Sequence, residues 1–292
     1  MKMKWRKISV DQERKSISTE NYEDFQNCLS QIDEKNQHTL FQKVQTETPI
    51  KSYGVILVDI ALDKISYFAC QRRTTIEFAE MIKCGPVQSR FFEYLSNMTE
   101  YERNLILECD YERIWKDLLL GDAKLLTKTF DYTSSIYEKY FDCFPNLINY
   151  TTSVQDQPPW ELPKGRFKKG DRTLLASAIR ELKEEAQIDL EEVELLSENI
   201  NDIFRGTDGQ LYQTTYFIIK ADFQYEPKED IYDPDNVIST HRISDDMRSF
   251  TWIELEKHIM QKRGATVLCD RLETMLYRLH SKLIRNEIVI EQ

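Results

Sequence analysis

Along this chain of 292 residues, short apolar runs give way to amphipathic runs and then return, the order of a sheet interrupted by helices. Residues 53–59 (YGVILVD) form a compact, β-branched apolar run, the pattern of a buried strand. Residues 65–71 (ISYFACQ) follow a turn at 61–64 and read as its hairpin partner, ended by Arg72 and Arg73. The period then changes. Over residues 74–144 the pattern is helical: residues 76–82, residues 91–95, a helix opened by the capping string Thr99-Glu100-Tyr101-Glu102, the amphipathic residues 111–120, and residues 132–140. This block is rich in aromatics, which more often build a core than grip a ligand. Strand patterns return at residues 160–162, at 195–204 and 211–221 around a turn at 206–209, and at 250–252. Residues 268–283 close the chain with Leu268, Leu272, Met275, Leu276 and Leu279 at helical spacing. Residues 150–159 and the acidic residues 225–245 read as loops.

These patterns divide the chain. Residues 1–50 are a polar arm rich in Lys, Glu, Gln, Ser and Asn, with Phe25, Cys28 and Leu29 spaced for a short helix. Residues 51–73 and 150–292 make one α+β domain, and residues 74–149 are a helical insertion in it.

Candidate chemistry concentrates in residues 163–190, PKGRFKKGDRTLLASAIRELKEEAQIDL. At about 100° per residue, Glu181, Glu184 and Glu185 fall within about 100° of one another, with Ser177 between them. Leu175, Ala178, Ile179, Leu182 and Ala186 occupy the neighbouring arc. One helix face is thus apolar and the next carries three carboxylates, which repel unless something compensates them. A solvated helix with pairs such as Arg180 to Glu184 is one answer. A hard divalent cation, Mg²⁺ or Mn²⁺, is another, because it takes oxygen ligands and sits between carboxylates and phosphates.

The string resembles the Nudix box: Gly, five residues, Glu, seven residues, then Arg-Glu-aliphatic-x-Glu-Glu-x-Gly-aliphatic. Residues 180–185 match fully, and Ile188 is the closing aliphatic. Three departures stand out. Gly165 lies one residue too far upstream, Arg172 takes the place of the first Glu with Asp171 beside it, and Gln187 replaces the late Gly. A glycine there would end the helix left-handed, so Gln187 implies strain or another exit. The chain is similar beyond the box to the decapping Nudix hydrolases of large cytoplasmic DNA viruses, the poxvirus and African swine fever types. The similarity rests on Ser52-Tyr-Gly-Val-Ile-Leu, Gln71-Arg-Arg, residues 78–84 (FAEMIKC), Asn97-Met-Thr99 with Glu102-Arg103, Tyr111-Glu-Arg-Ile-Trp115 and Trp160-Glu-Leu-Pro-Lys-Gly165, and so spans residues 50–260.

That resemblance implies a Nudix α/β/α sandwich with a mixed sheet plus a helical insertion. It implies cleavage of the mRNA cap to release 7-methylguanosine diphosphate with Mg²⁺ or Mn²⁺, and in some members hydrolysis of diphosphoinositol polyphosphates. Position by position it puts metal and base roles on Glu181, Glu184 and Glu185, with the division between Glu184 and Glu185 open, and a further metal ligand on Asp246. Arg180 is expected to orient the glutamates. Lys164, Arg166 and Lys168 are candidates for phosphate contacts, with an exposed basic loop as the alternative. A methylated guanine is cationic, so aromatic faces suit it. Phe78, Tyr212 and Tyr216 are the candidates, each with core packing as its alternative.

Composition narrows the class. A formal charge of -11 argues against broad nucleic-acid affinity. Two local exceptions suit a phosphorylated substrate such as capped RNA: residues 1–17, with six basic and two acidic residues, and residues 164–172, with five basic residues and one Asp. No apolar run is long enough to span a membrane, and the N-terminus lacks a signal core. Six scattered cysteines favour reduced thiols in a cytosol-like compartment, for a viral enzyme the host cytoplasm. Three readings compete: mRNA decapping, hydrolysis of a small diphosphate (a nucleotide or diphosphoinositol phosphate), and a Nudix-fold binding module with weak catalysis.

Overall fold

The computed structural model describes residues 48–61, 64–84, 91–118, 130–190, 194–206, 210–221, 228–229, 247–255, 268–285 and 287–288. The polar arm up to residue 47, most of the acidic loop and Asp246 lie outside the described residues.

The first apolar run becomes β1 (Ile50–Ala61), and its partner becomes β2 (Lys64–Arg72), antiparallel with Ala61 opposite Lys64. Helices follow: α1 (Ile76–Cys84), α2 (Phe91–Asn97), α3 (Glu100–Glu108), α4 (Tyr111–Leu118), α5 (Phe130–Tyr140) and, after a 3₁₀ turn, α6 (Phe144–Asn149). Then come β3 (Trp160–Glu161), β4 (Lys164–Gly165), α7 (Leu174–Ala186), β5 (Glu194–Arg205), β6 (Leu211–Lys220), β7 (Lys228–Glu229), β8 (Met247–Glu254) and α8 (Asp270–Ile284). The sheet runs β5-β6-β1-β2-β8-β7, with β3 on β2 and β4 on β1. Among the strands of the described residues, only β1 and β6 pair in parallel, from Ile50 opposite Tyr212 to Val58 opposite Lys220, so the sheet is mixed.

β1 is central and covered on both faces, which is why its run is continuously apolar. Val55 and Leu57 point to the face under α7, where Ala178, Leu182 and Ala186 pack with Phe68, Cys70 and Phe250. Ile56 and Val58 point to the other face, under Leu272, Met275, Leu276 and Leu279 of α8. Helices α1 to α6 bury a cluster of their own, from Phe78 to Ile148.

Two charged residues fasten that helical cluster. The Glu102 side chain accepts from the N–H groups of Thr75 and Thr99 (2.7 and 2.8 Å) and from the Thr75 hydroxyl (2.9 Å), completing the capping box of α3. The buried Arg103 guanidinium donates to the carbonyls of Leu95, Ile148 and Thr151 at 3.2, 2.6 and 2.6 Å, tying α3 to the end of α2 and to the chain that leaves α6. Arg103→Met keeps the stem and removes the donor to the Leu95 and Thr151 carbonyls, at a cost of about 3 kcal/mol. Denaturant unfolding measures it; a loss below about 1 kcal/mol would mean that water replaces the guanidinium.

The end of α7 resolves the Gln187 question. Gln187 is left-handed at φ 57°, and its N–H caps the Lys183 carbonyl at 3.0 Å. The exit is the one a glycine would make, with the strain a side chain adds there. Gln187→Gly should therefore stabilise by about 1 kcal/mol, a rise of about 2 °C in a thermal melt. An unchanged or lower midpoint would contradict the strain.

Candidate active site

Three short segments meet at Gly165. β3 and β4 carry the chain through Pro163 alongside β1, where the Pro163 carbonyl accepts from Val55 N–H at 3.1 Å. Gly54 and Gly165 are the glycines this crossing requires. A Cβ on Gly54 would lie 2.5 Å from the Pro163 oxygen and 2.7 Å from the Tyr216 ring. A Cβ on Gly165 would lie 2.0 Å from the Glu181 carboxylate carbon. The backbone of the turn is thus pressed against the carboxylate face of α7.

Arg180 organises that face. Its guanidinium donates twice to Asp171 (2.9 and 3.0 Å), to Glu181 at 2.5 Å, to Glu184 at 2.9 Å and to the Arg166 carbonyl at 2.9 Å. These bonds hold the Asp171 carboxyl well below, and the Arg180 guanidinium well above, their ordinary ranges. Asp171, not the exposed Arg172 at the box position, therefore faces the helix; the extra loop residue makes that shift. Arg180 is satisfied within the protein and holds two of the three glutamates, Glu181 and Glu184.

The glutamates differ in surroundings. Glu181 is 8% exposed. Glu184 is exposed and also takes the Lys168 ammonium at 2.8 Å. Glu185 accepts from the Lys164 N–H at 3.0 Å. Burial pushes the Glu185 carboxyl up; Lys164 opposes this, while Glu161 and Glu181 add to it, and the balance is about 8. Ionised together, these groups need a positive charge near them.

Glu161 went unnoticed in the sequence. Its carboxylate is buried and receives Lys164 Nζ at 2.9 Å and an Arg72 nitrogen at 3.3 Å. Burial raises its pKa, but the charges and hydrogen bonds of Lys164 and Arg72 outweigh this and hold it at about 2. The available signal was Lys164 three residues on, within a string already singled out. Of the basic candidates, Lys164 thus lies on Glu161 and Lys168 on Glu184, while Arg166 is exposed.

Among the described residues, no three acidic, His or Cys side chains stand arranged to hold a metal ion. The donor chemistry nevertheless fits one: hard carboxylate oxygens on one face, two of them neutralised by Arg180 and Lys168, and a third pushed towards protonation.

The aromatic candidates separate. Phe78, 2% exposed, belongs to the core of the helical insertion, and Tyr216 is fully buried over Gly54. Neither ring has a face open to a base, so both are packing residues and the stacking role does not fall on them. Tyr212 is partly exposed and stacks on Phe204, with centroids 5.5 Å apart and planes at 18°. Phe204 was missed because it reads as an ordinary strand residue. Over its ring, 3.7 Å from the centroid, lies the guanidinium of Arg271, which also pairs with Asp202. Burial pushes Arg271 down and the Glu161 charge pushes back. The start of α8 is brought here by a bridge between Trp160 and Leu268.

Residues 151–268 match the NUDIX domain. The mRNA-decapping protein g5R of African swine fever virus (isolate Warthog/Namibia/Wart80/1980) is 28% identical over 168 residues, 53% of this chain and 66% of that protein. The same protein from isolate Pig/Kenya/KEN-50/1950 is 28% identical over 146 residues, 46% of this chain and 57% of that protein. The chain thus spans less than two thirds of the length of these curated relatives. Among solved structures, C. elegans Ap4A hydrolase is 15% identical, covering 81% of this chain and 99% of that one, with a TM-score of 0.35.

Proposed function

We propose that this chain, which belongs to the Nudix family, is a divalent-metal-dependent pyrophosphohydrolase that removes the mRNA cap and releases 7-methylguanosine diphosphate. The observation that carries this reading is the placement of Glu181 and Glu185 at the Lys164-Gly165 turn, with Glu184 on Arg180 and Lys168, in a chain similar to viral decapping proteins. Glu181, Glu184 and Glu185 would hold Mg²⁺ or Mn²⁺, whose charge would neutralise the phosphate oxygens as the anhydride bond breaks. Asp246, outside the described residues, is proposed as a further ligand.

The protein's own groups do the rest. Glu184 or Glu185 takes the proton of the attacking water. Arg180 keeps the Glu181 and Glu184 carboxylates facing the turn. Lys164, Lys168 and Arg166 line its basic side; when phosphate arrives, the two lysines exchange carboxylate partners for phosphate oxygens. Until then Glu161 holds the Lys164 ammonium in place. Tyr212 and Phe204 offer the aromatic surface for the base.

The substrate is therefore capped RNA, met in the host cytoplasm. Among the described residues no helix is long and apolar enough to cross a membrane. The test is a product assay with cap-labelled RNA, free cap analogue and a diphosphoinositol polyphosphate. Metal-dependent release of 7-methylguanosine diphosphate from RNA is expected. Turnover of the inositol substrate alone would assign a small-molecule hydrolase, and turnover of none would assign a binding module.

A further inference from the structure

We propose that Arg271 stands in for the methylated guanine of the cap, resting on the surface that the base takes over, and that the exchange selects a positively charged base. This rests on the decapping reading above. In the β5–β6 register Phe204 lies opposite Tyr212 and Asp202 opposite Thr214, so Asp202 and Phe204 share one sheet face. Arg271 reaches both. It is a planar cation, stacked 3.7 Å above an aromatic ring and ion-paired with a carboxylate. N7-methylguanine has the same description: a flat, delocalised cation with N–H donors along one edge. The site that satisfies one satisfies the other.

Three features indicate that Arg271 is displaceable. It lies in the first turn of α8, where the helix dipole disfavours a cation, so the helix itself gains nothing from it. Its side chain is 32% exposed, against 7% for Asp202, so the arginine has somewhere to go and the carboxylate does not. A groove of about 630 Å³ between β5 and α8 opens beside it, lined by Asp202, Ile203, Thr274 and Arg278 among others. When Arg271 leaves, Asp202 is left buried without its cation. A neutral guanine returns only hydrogen bonds to it, whereas a methylated guanine returns hydrogen bonds and charge. Selection for the methyl group then comes from restoring the charge that the protein itself supplied.

Calorimetric titration of the full chain with 7-methylguanosine diphosphate, the expected product, and with unmethylated GDP tests this. Arg271→Met keeps an apolar stem for the helix and removes the competitor. It should tighten the methylated nucleotide about 5- to 30-fold and GDP distinctly less. Phe204→Leu should weaken the methylated nucleotide, and Asp202→Asn should erase the preference between the two. Weaker or unchanged binding to Arg271→Met, or equal tightening of both nucleotides, overturns the exchange. If wild type cleaves capped RNA while Arg271→Met binds no tighter, this inference falls and decapping stands. If wild type neither cleaves capped RNA nor binds the methylated nucleotide, both fall.

Discussion

Glu185→Gln is expected to lower the rate of cap hydrolysis by on the order of 10²-fold or more, with the fold intact. The amide has the shape of the carboxyl and can still meet the Lys164 N–H. What it lacks is charge, and charge is what this position is built around: Glu185 sits between Glu161 and Glu181, with its carboxyl pushed up to about 8 by burial. A positive ion entering beside it recovers the cost of keeping it ionised; an amide gives that ion nothing. Glu184→Gln should cost a similar factor by a different route, since Glu184 is exposed and releases Arg180 and Lys168 as well. Rates on cap-labelled RNA, with circular dichroism for the fold, decide the matter. A thermal shift on adding Mg²⁺ or Mn²⁺, present in wild type and reduced in both variants, would tie the loss to the ion. Near-wild-type rates in both variants would remove the active site from this helix face.

Gly165→Ala should be nearly as damaging, for a steric reason. The added methyl would sit 2.0 Å from the Glu181 carboxylate carbon and 2.3 Å from each of its oxygens. Nothing can stay at that distance, so either Glu181 leaves Arg180 or the turn retreats and takes Lys164 and its bond to Glu185 with it. Both routes displace the three-glutamate face by more than 1 Å, enough for a loss of about 10²-fold. Stability should fall by only about 1–3 kcal/mol, because the strain lies at the edge of the core. Gly170→Ala is the control: its new methyl would meet nothing within 4 Å. Equal activity for the two alanine variants would show that the turn has slack.

What could be read in advance followed from local repetition. The two faces of α7, the capping box at Thr99 and the strand pair β1–β2 each have a signal within one or two turns of chain, and each appears where expected. The α+β class and the sandwich with its mixed sheet follow from those elements together with the Nudix likeness. The parallel join of β1 to β6 had no such signal, since register between distant strands leaves no mark on either one. Phe78 fitted two roles, because an aromatic on an amphipathic helix is spaced alike for a core and for a ligand. Glu161 and Phe204 were hidden for the opposite reason: a single polar or aromatic residue in a strand is unremarkable until its neighbours across the sheet are known. Asp171 was half visible, as the acid beside a basic residue in an acid's position.

The parallel join also bears on the chain's birth at the ribosome. Ser52 meets Thr214 across 162 positions of sequence, so β1 cannot acquire its parallel neighbour β6 until that length has been translated. At about 5–20 residues per second this is a wait of roughly 8–30 s. Meanwhile the hairpin of β1 and β2 has emerged with an open, apolar edge, the kind of surface that pairs with other chains. The helices that follow it need only each other: every buried residue of their cluster lies between Phe78 and Ile148, all made before β6. The insertion can therefore fold first, and β1 is the segment that a nascent-chain chaperone would be expected to shield.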